Sequence, residues 1–124
     1  MKDKFYYKDG TTSEIRNYTK VLHRTDGPAI EEAYGDKYWF IDGKLHRTDG
    51  PAVEWADGTK YWYVDGECHR ADGPAVESAS GSKRWYVDGE RCSRKQFKAL
   101  MREVENLSDV LRLTDPREWV RRVG

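Results

Sequence analysis

The stretch His23-Arg24-Thr25-Asp26-Gly27-Pro28-Ala29-Ile30 returns as His46-Arg47-Thr48-Asp49-Gly50-Pro51-Ala52-Val53, and again as His69-Arg70-Ala71-Asp72-Gly73-Pro74-Ala75-Val76. The spacing is 23 residues each time. A short fixed period means that each unit is one supersecondary element that cannot bury its own apolar face, so neighbours must stack. The match extends beyond the octapeptide. Trp39, Trp62 and Trp85 share one position, Lys37, Lys60 and Lys83 another, and Asp42-Gly43, Asp65-Gly66 and Asp88-Gly89 close the units. Gly35, Gly58 and Gly81 are also equivalent. The clear units are 23–45, 46–68 and 69–91. Residues 1–22 read as a degenerate first copy, in which Tyr6-Tyr7-Lys8-Asp9-Gly10 resembles Trp62 to Gly66 and Thr11 to Lys20 is inserted. After Gly89 the pattern fades, with Cys92 where a fourth His would stand and Ser93 where a fourth Arg would stand.

Composition agrees with a thin array. Among 124 residues, 35% are charged and 37% hydrophobic, which disfavours a thick core. A quasi-one-dimensional sheet needs little interior. The net charge of zero argues against a general nucleic-acid binder. Residues 1–90 hold 13 basic and 17 acidic side chains, and residues 91–124 hold 9 and 5, so the repeats are mildly acidic and the tail basic. There is no long apolar run and no signal peptide, so a soluble cytoplasmic protein is expected. Two cysteines make no disulfide framework and suit a reduced compartment.

Each unit reads as a β-hairpin. In unit two, Ala52 to Trp55 is a strand, Asp57-Gly58 is the favoured pair for a two-residue type I′ turn, and Lys60 to Val64 returns. That turn predicts that Trp55 opposes Lys60, Glu54 opposes Tyr61 and Val53 opposes Trp62. A bulge would shift the pairing by one residue. Alternation then puts Val53, Trp62 and Val64 on one face and Glu54, Tyr61 and Tyr63 on the other. A second such turn at Asp65-Gly66 predicts Trp62 opposite His69 and Tyr61 opposite Arg70, with His46 beside Trp39 and Arg47 beside Tyr38. The expected architecture is mostly β, a single-layer repeat sheet of stacked hairpins over 1–92 with a helical cap over 93–124.

The tail changes character. Ser93 with Gln96 three residues later begins a helix with a capping box. Phe97, Leu100, Met101, Val104 and Leu107 share one helical face. A second start is expected at Thr114 or Asp115, with Pro116 in the first turn and Glu118 following, and Leu111, Leu113, Trp119, Val120 and Val123 supplying apolar surface. The tail reads as a cap on the third hairpin. The alternative is a docking helix, for a partner or a second copy, built on Phe97, Leu100, Met101 and Val104.

Two features resemble a known family. An aromatic residue followed by Asp-Gly-x-x-His, with an Asp-Gly hairpin turn and a 23-residue period, is similar to the MORN repeat. The His-Arg-x-Asp-Gly-Pro-Ala form resembles a MORN-like variant common in bacteriophage proteins. The resemblance covers about residues 23–92, and departs from the common pattern at Arg24, Arg47 and Arg70, where Gly is usual, and at the added Pro. It implies an interaction scaffold, some members of which bind proteins and some of which have been proposed to touch lipids. For a phage protein it implies action in the host cytoplasm.

No catalytic group, cofactor or metal site is expected. Adjacent units lie two strands apart, roughly 9–10 Å, so a row of His cannot converge on one ion whose ligands lie about 2 Å away. The His are expected to pack on Trp or bond a turn. Arg24, Arg47 and Arg70 are expected to stack on the tyrosines and pair with glutamates. Three functions fit. The first is a non-enzymatic module binding a host protein, such as one of antiviral defence, through Tyr38, Tyr61, Tyr63 and Tyr86 edged by Glu54, Arg47 and Arg70, because Tyr and Arg are enriched at hot spots. The second is sequestration of a nucleotide immune signal by the same aromatic and Arg surface. The third is a virion structural or assembly role, favoured by oligomerisation through the tail helices.

Overall fold

The three octapeptides become three crossings between successive hairpins in the computed structural model, which describes residues 2–111 and the side chains of 2–107. The second tail helix expected from Thr114 onward lies outside the described residues. Strands β1 (Lys4–Tyr6) and β2 (Thr12–Ser13) come first. Unit one holds β3 (Ile30–Glu31), β4 (Lys37–Tyr38), β5 (Phe40–Ile41) and β6 (Lys44–Leu45). Unit two holds β7 (Val53–Glu54), β8 (Lys60–Tyr61), β9 (Tyr63–Val64) and β10 (Glu67–Cys68). Unit three holds β11 (Val76–Glu77), β12 (Lys83–Val87) and β13 (Glu90–Cys92), followed by α1 (Arg94–Leu111). One antiparallel sheet runs β13-β12-β11-β8-β7-β4-β3-β1-β2, with β5-β6 and β9-β10 as side ribbons. The chain is thus mostly β, built of hairpins in one large open sheet, and ends on one described helix.

Two kinds of turn alternate. At Asp42-Gly43, Asp65-Gly66 and Asp88-Gly89 both residues have positive φ, about 50° for Asp and 80° for Gly, which is the type I′ turn expected there. At Asp57-Gly58 only the glycine is left-handed, with φ 98°. Trp55 N–H donates to the Thr59 carbonyl and Gly58 N–H to the Trp55 carbonyl, so the loop has three residues and ends on a glycine bulge. Asp57 accepts from the Thr59 backbone N–H at 2.8 Å, which holds this shape.

The extra loop residue corrects the expected register. Val53 opposes Tyr61 and Glu54 opposes Lys60. One residue of slip moves a side chain to the other face, so Val53 joins the tyrosines and Glu54 joins Trp62. Read across the strands, one row is Phe5, Ile30, Tyr38, Val53, Tyr61, Val76, Arg84. Ile30, Val53 and Val76 are buried there between bulkier neighbours. The adjacent row, on the opposite face, is Lys4, Glu31, Lys37, Glu54, Lys60, Glu77, Lys83, a ladder of alternating charge. Every directly opposed pair in it is opposite in sign, which stabilises the sheet and leaves the row nearly neutral.

Both ends are closed. At the start, Phe5, Tyr7, Leu22, Ala29 and Ile30 form a cluster with Tyr38 and Phe40 against it. At the other end, Phe97 and Val104 of α1 pack on Val87, with Trp85, Cys92, Leu100, Met101 and Leu107 around them. The expected capping box starts α1. Gln96 N–H donates to Ser93 Oγ at 3.0 Å, and Ser93 N–H donates to Gln96 Oε1 at 2.8 Å.

Candidate functional site

The octapeptide builds a clamp on the face that carries the charged ladder. Arg47 lies over the Trp39 ring, 3.9 Å from its centre, and Arg70 lies at the same distance over Trp62. Arg24 covers Tyr6 at the same distance. Arg47 Nε donates to Asp49 Oδ1 at 3.0 Å, while one terminal nitrogen donates to the Pro51 carbonyl at 3.0 Å and reaches Glu54 at 3.5 Å. Arg70 repeats this with Asp72 at 2.8 Å, Pro74 at 3.0 Å and Glu77 at 2.7 Å. Gly50 leaves the room needed: a Cβ there would lie 2.9 Å from the Arg47 guanidinium carbon.

The expected stacking of arginine on tyrosine holds for Arg24 on Tyr6 and is corrected to stacking on tryptophan for Arg47 and Arg70. After each His the chain leaves its hairpin and crosses to the next unit. Arg47 N–H then donates to the Tyr63 carbonyl and Arg70 N–H to the Tyr86 carbonyl, rather than facing Tyr38 and Tyr61. The pairing of Arg with Glu is as expected.

Each His bonds a turn. Nδ1 of His23, His46 and His69 accepts the backbone N–H of Asp42, Asp65 and Asp88 at 2.9, 3.1 and 2.9 Å. This places the proton of the neutral ring on Nε2. His46 and His69 oppose Trp39 and Trp62, as the type I′ register predicts. Among the described residues no group of three His, Cys, Asp or Glu is arranged to hold a metal ion. Burial pushes the Cys68 thiol up to about 11 and raises that of Cys92 as well. Both stay protonated at neutral pH, which opposes nucleophilic use.

The opposite face gathers the tyrosines. Tyr38, Tyr61, Tyr63 and Tyr86 are half-buried on it by strand alternation. Burial raises the phenol of Tyr63, with Cys68, Tyr61 and Tyr86 close enough to add to the effect. Burial also raises Tyr38, followed by the charges of Glu32 and Asp36. Trp55 stands on the same face, 39% exposed, its ring 5.0 Å from Tyr61 and tilted by 59°. Sequence reading passed over Trp55. The available signal was its break with the period, since Glu32 and Ser78 hold the equivalent positions.

The candidate residues thus divide. Tyr38, Tyr61, Tyr63 and Tyr86 share one face, while Arg47, Arg70 and Glu54 belong to the tryptophan clamps of the other. Phe97, Leu100, Met101 and Val104 pack on unit three. No helix among the described residues is long and apolar enough to cross a membrane. Compared with protein-family models, curated proteins and solved structures, the chain matches none.

Proposed function

We propose that this chain is a non-enzymatic repeat scaffold that binds a protein partner on its tyrosine face. The observation that supports it is the aromatic group at the centre of the array, where half-exposed Trp55 and Tyr61 stand beside Tyr38 and Tyr63. Tyr and Trp offer large contact areas at small entropic cost, and a rigid sheet holds them in place before any partner arrives. The nucleotide alternative drew on Arg beside Tyr. Arg47 and Arg70 sit on the other face, with their rings of donors turned to Asp, Pro and Glu, which favours the protein reading. The resemblance to phage-type repeats directs the search to a bacterial host protein, with antiviral defence factors as the first candidates.

The test compares the native chain with a Tyr61→Ser, Tyr63→Ser variant as immobilised bait in bacterial lysate. The expected result is one host protein retained by the native chain and lost by the variant, at matching melting curves. Equal retention by both breaks the reading, as does recovery of a nucleotide in place of a protein.

A further inference from the structure

The tryptophan face presents equivalent positions in every unit, and among the described residues a helix covers only those of unit three. In unit three, Val87 is 8% exposed beneath Phe97 and Val104, with Trp85 and Cys92 beside it. Its equivalents Ile41 and Val64 remain half-exposed. The same contrast holds one layer out. The side chain of Asp88 is 21% exposed and that of His69 4%, whereas Asp65 and His46 are 56% and 22% exposed. The positions that α1 closes over unit three are open in units one and two.

The open positions form grooves between successive crossing loops. One, of about 650 Å³, has Trp62 and Val64 in its floor between the Arg47 and Arg70 loops. Its counterpart, of about 550 Å³, has Trp39 and Ile41 between the Arg24 and Arg47 loops. The guanidinium groups are turned inward on their clamps, and the carboxylates of Asp26, Asp49 and Asp72 project from the rims at 83–84% exposure. The rims therefore turn carboxylates outward, each paired with its own arginine, and the floors are apolar. The helix already seated on unit three has the matching character. It presents Phe97, Leu100, Met101 and Val104 to the sheet and carries Arg94, Lys95, Lys98 and Arg102 exposed along its first turns.

We propose that the grooves of units one and two dock an amphipathic helix of a partner protein. That helix has an aromatic–aliphatic stripe at i, i+3, i+4, i+7 and basic flanks, seated as α1 is seated on unit three. Units repeat every two strands, roughly 9–10 Å, and packed helices lie about 8–10 Å apart, so one helix fits each unit. The occupant is a partner's helix rather than a second copy's α1, because each copy's α1 already covers its own third unit. This is independent of the tyrosine face.

The probe is a fluorescent synthetic peptide with the sequence of residues 93–111, titrated against the full chain. We expect saturable binding, weakened at least tenfold by Val64→Glu combined with Ile41→Glu in the protein, or by Phe97→Asp in the peptide. Tyr63→Ser in the protein leaves it unchanged. If the Glu variant melts early, the exposed pair Asp49→Lys and Asp72→Lys replaces it, with at least a threefold weakening expected. Absence of saturable binding overturns the proposal. So does binding that ignores the groove and rim variants, which would place the peptide in exchange with α1. A chain that self-associates through these grooves in sizing experiments also overturns it, since the occupant is then a second copy.

Discussion

Units one and two cover their indoles with arginine, and unit three covers its indole with a helix. The hairpins beneath are alike, so the difference isolates what a half-buried tryptophan on a single-layer sheet requires. In the first two units the cover is a planar guanidinium from the next octapeptide, held by a carboxylate and a carbonyl so that few of its rotamers survive. In the third unit no further octapeptide follows. Ser93 stands where the next Arg would be, and its hydroxyl caps α1. Where the octapeptide gives way to Cys92-Ser93-Arg94-Lys95-Gln96-Phe97, the polar clamp is replaced by a helix start. The array ends where the covering element stops being repetitive.

The largest effect should come from uncovering unit three. Phe97→Ala should cost about 3–5 kcal/mol in denaturant melts, the range for buried aromatic truncation. It should also raise the reactivity of the Cys92 thiol, which lies under α1, while Cys68 labels slowly as before. A loss below about 1 kcal/mol would mean that unit three does not depend on its helix. Next is Gly66→Val, at φ 80°, which forces a β-branched residue into the left-handed region at roughly 1–3 kcal/mol. The exposed change Lys60→Ala should stay within about 0.5 kcal/mol. Equal shifts in thermal melts would reject the type I′ turn.

The arginine clamp is the smaller counterpart of the helix. A double-mutant cycle of Arg70→Ala and Trp62→Ala should give a coupling of about 0.5–2 kcal/mol. The same cycle on Arg84 and Trp85, which form no clamp, should give a coupling near zero. Matching values would erase the distinction between the units. The smallest effect belongs to the charged ladder. Lys60→Glu sets Glu directly against Glu54 and Glu77, and should cost about 0.5–1 kcal/mol at low salt, shrinking as salt is added.

Much of the architecture was legible residue by residue. The period located the hairpins, and Asp42, Asp65 and Asp88 with their glycines announced the type I′ turns. The His bond to the turn, the Arg–Glu pairs and the Ser93–Gln96 box followed from spacing and side-chain chemistry. The dipeptide at Asp57-Gly58 misled, because the same two residues close a three-residue loop when Thr59 holds the Asp57 carboxylate. The neighbouring unit adds to this by bonding Ala56 N–H to Asp36 at 2.7 Å. That single residue of register exchanged Val53 and Glu54 between faces, while the crossing of the chain to the next unit after each His took Arg47 and Arg70 away from Tyr38 and Tyr61. Alternation groups Tyr38, Tyr61, Tyr63 and Tyr86 on one face in sequence and structure alike, but Arg47, Arg70 and Glu54 fall on the other face, and Trp55 joins the tyrosines.

Local chemistry, then, determined the units, their number and spacing, the left-handed glycines and the helix start, because each depends on residues a few positions apart. The tertiary structure decided which side chains share a face, which ring each guanidinium covers and which tryptophan α1 seals. Those outcomes rest on contacts between one unit and the next, and strand alternation converts a one-residue difference in a loop into an exchange of faces.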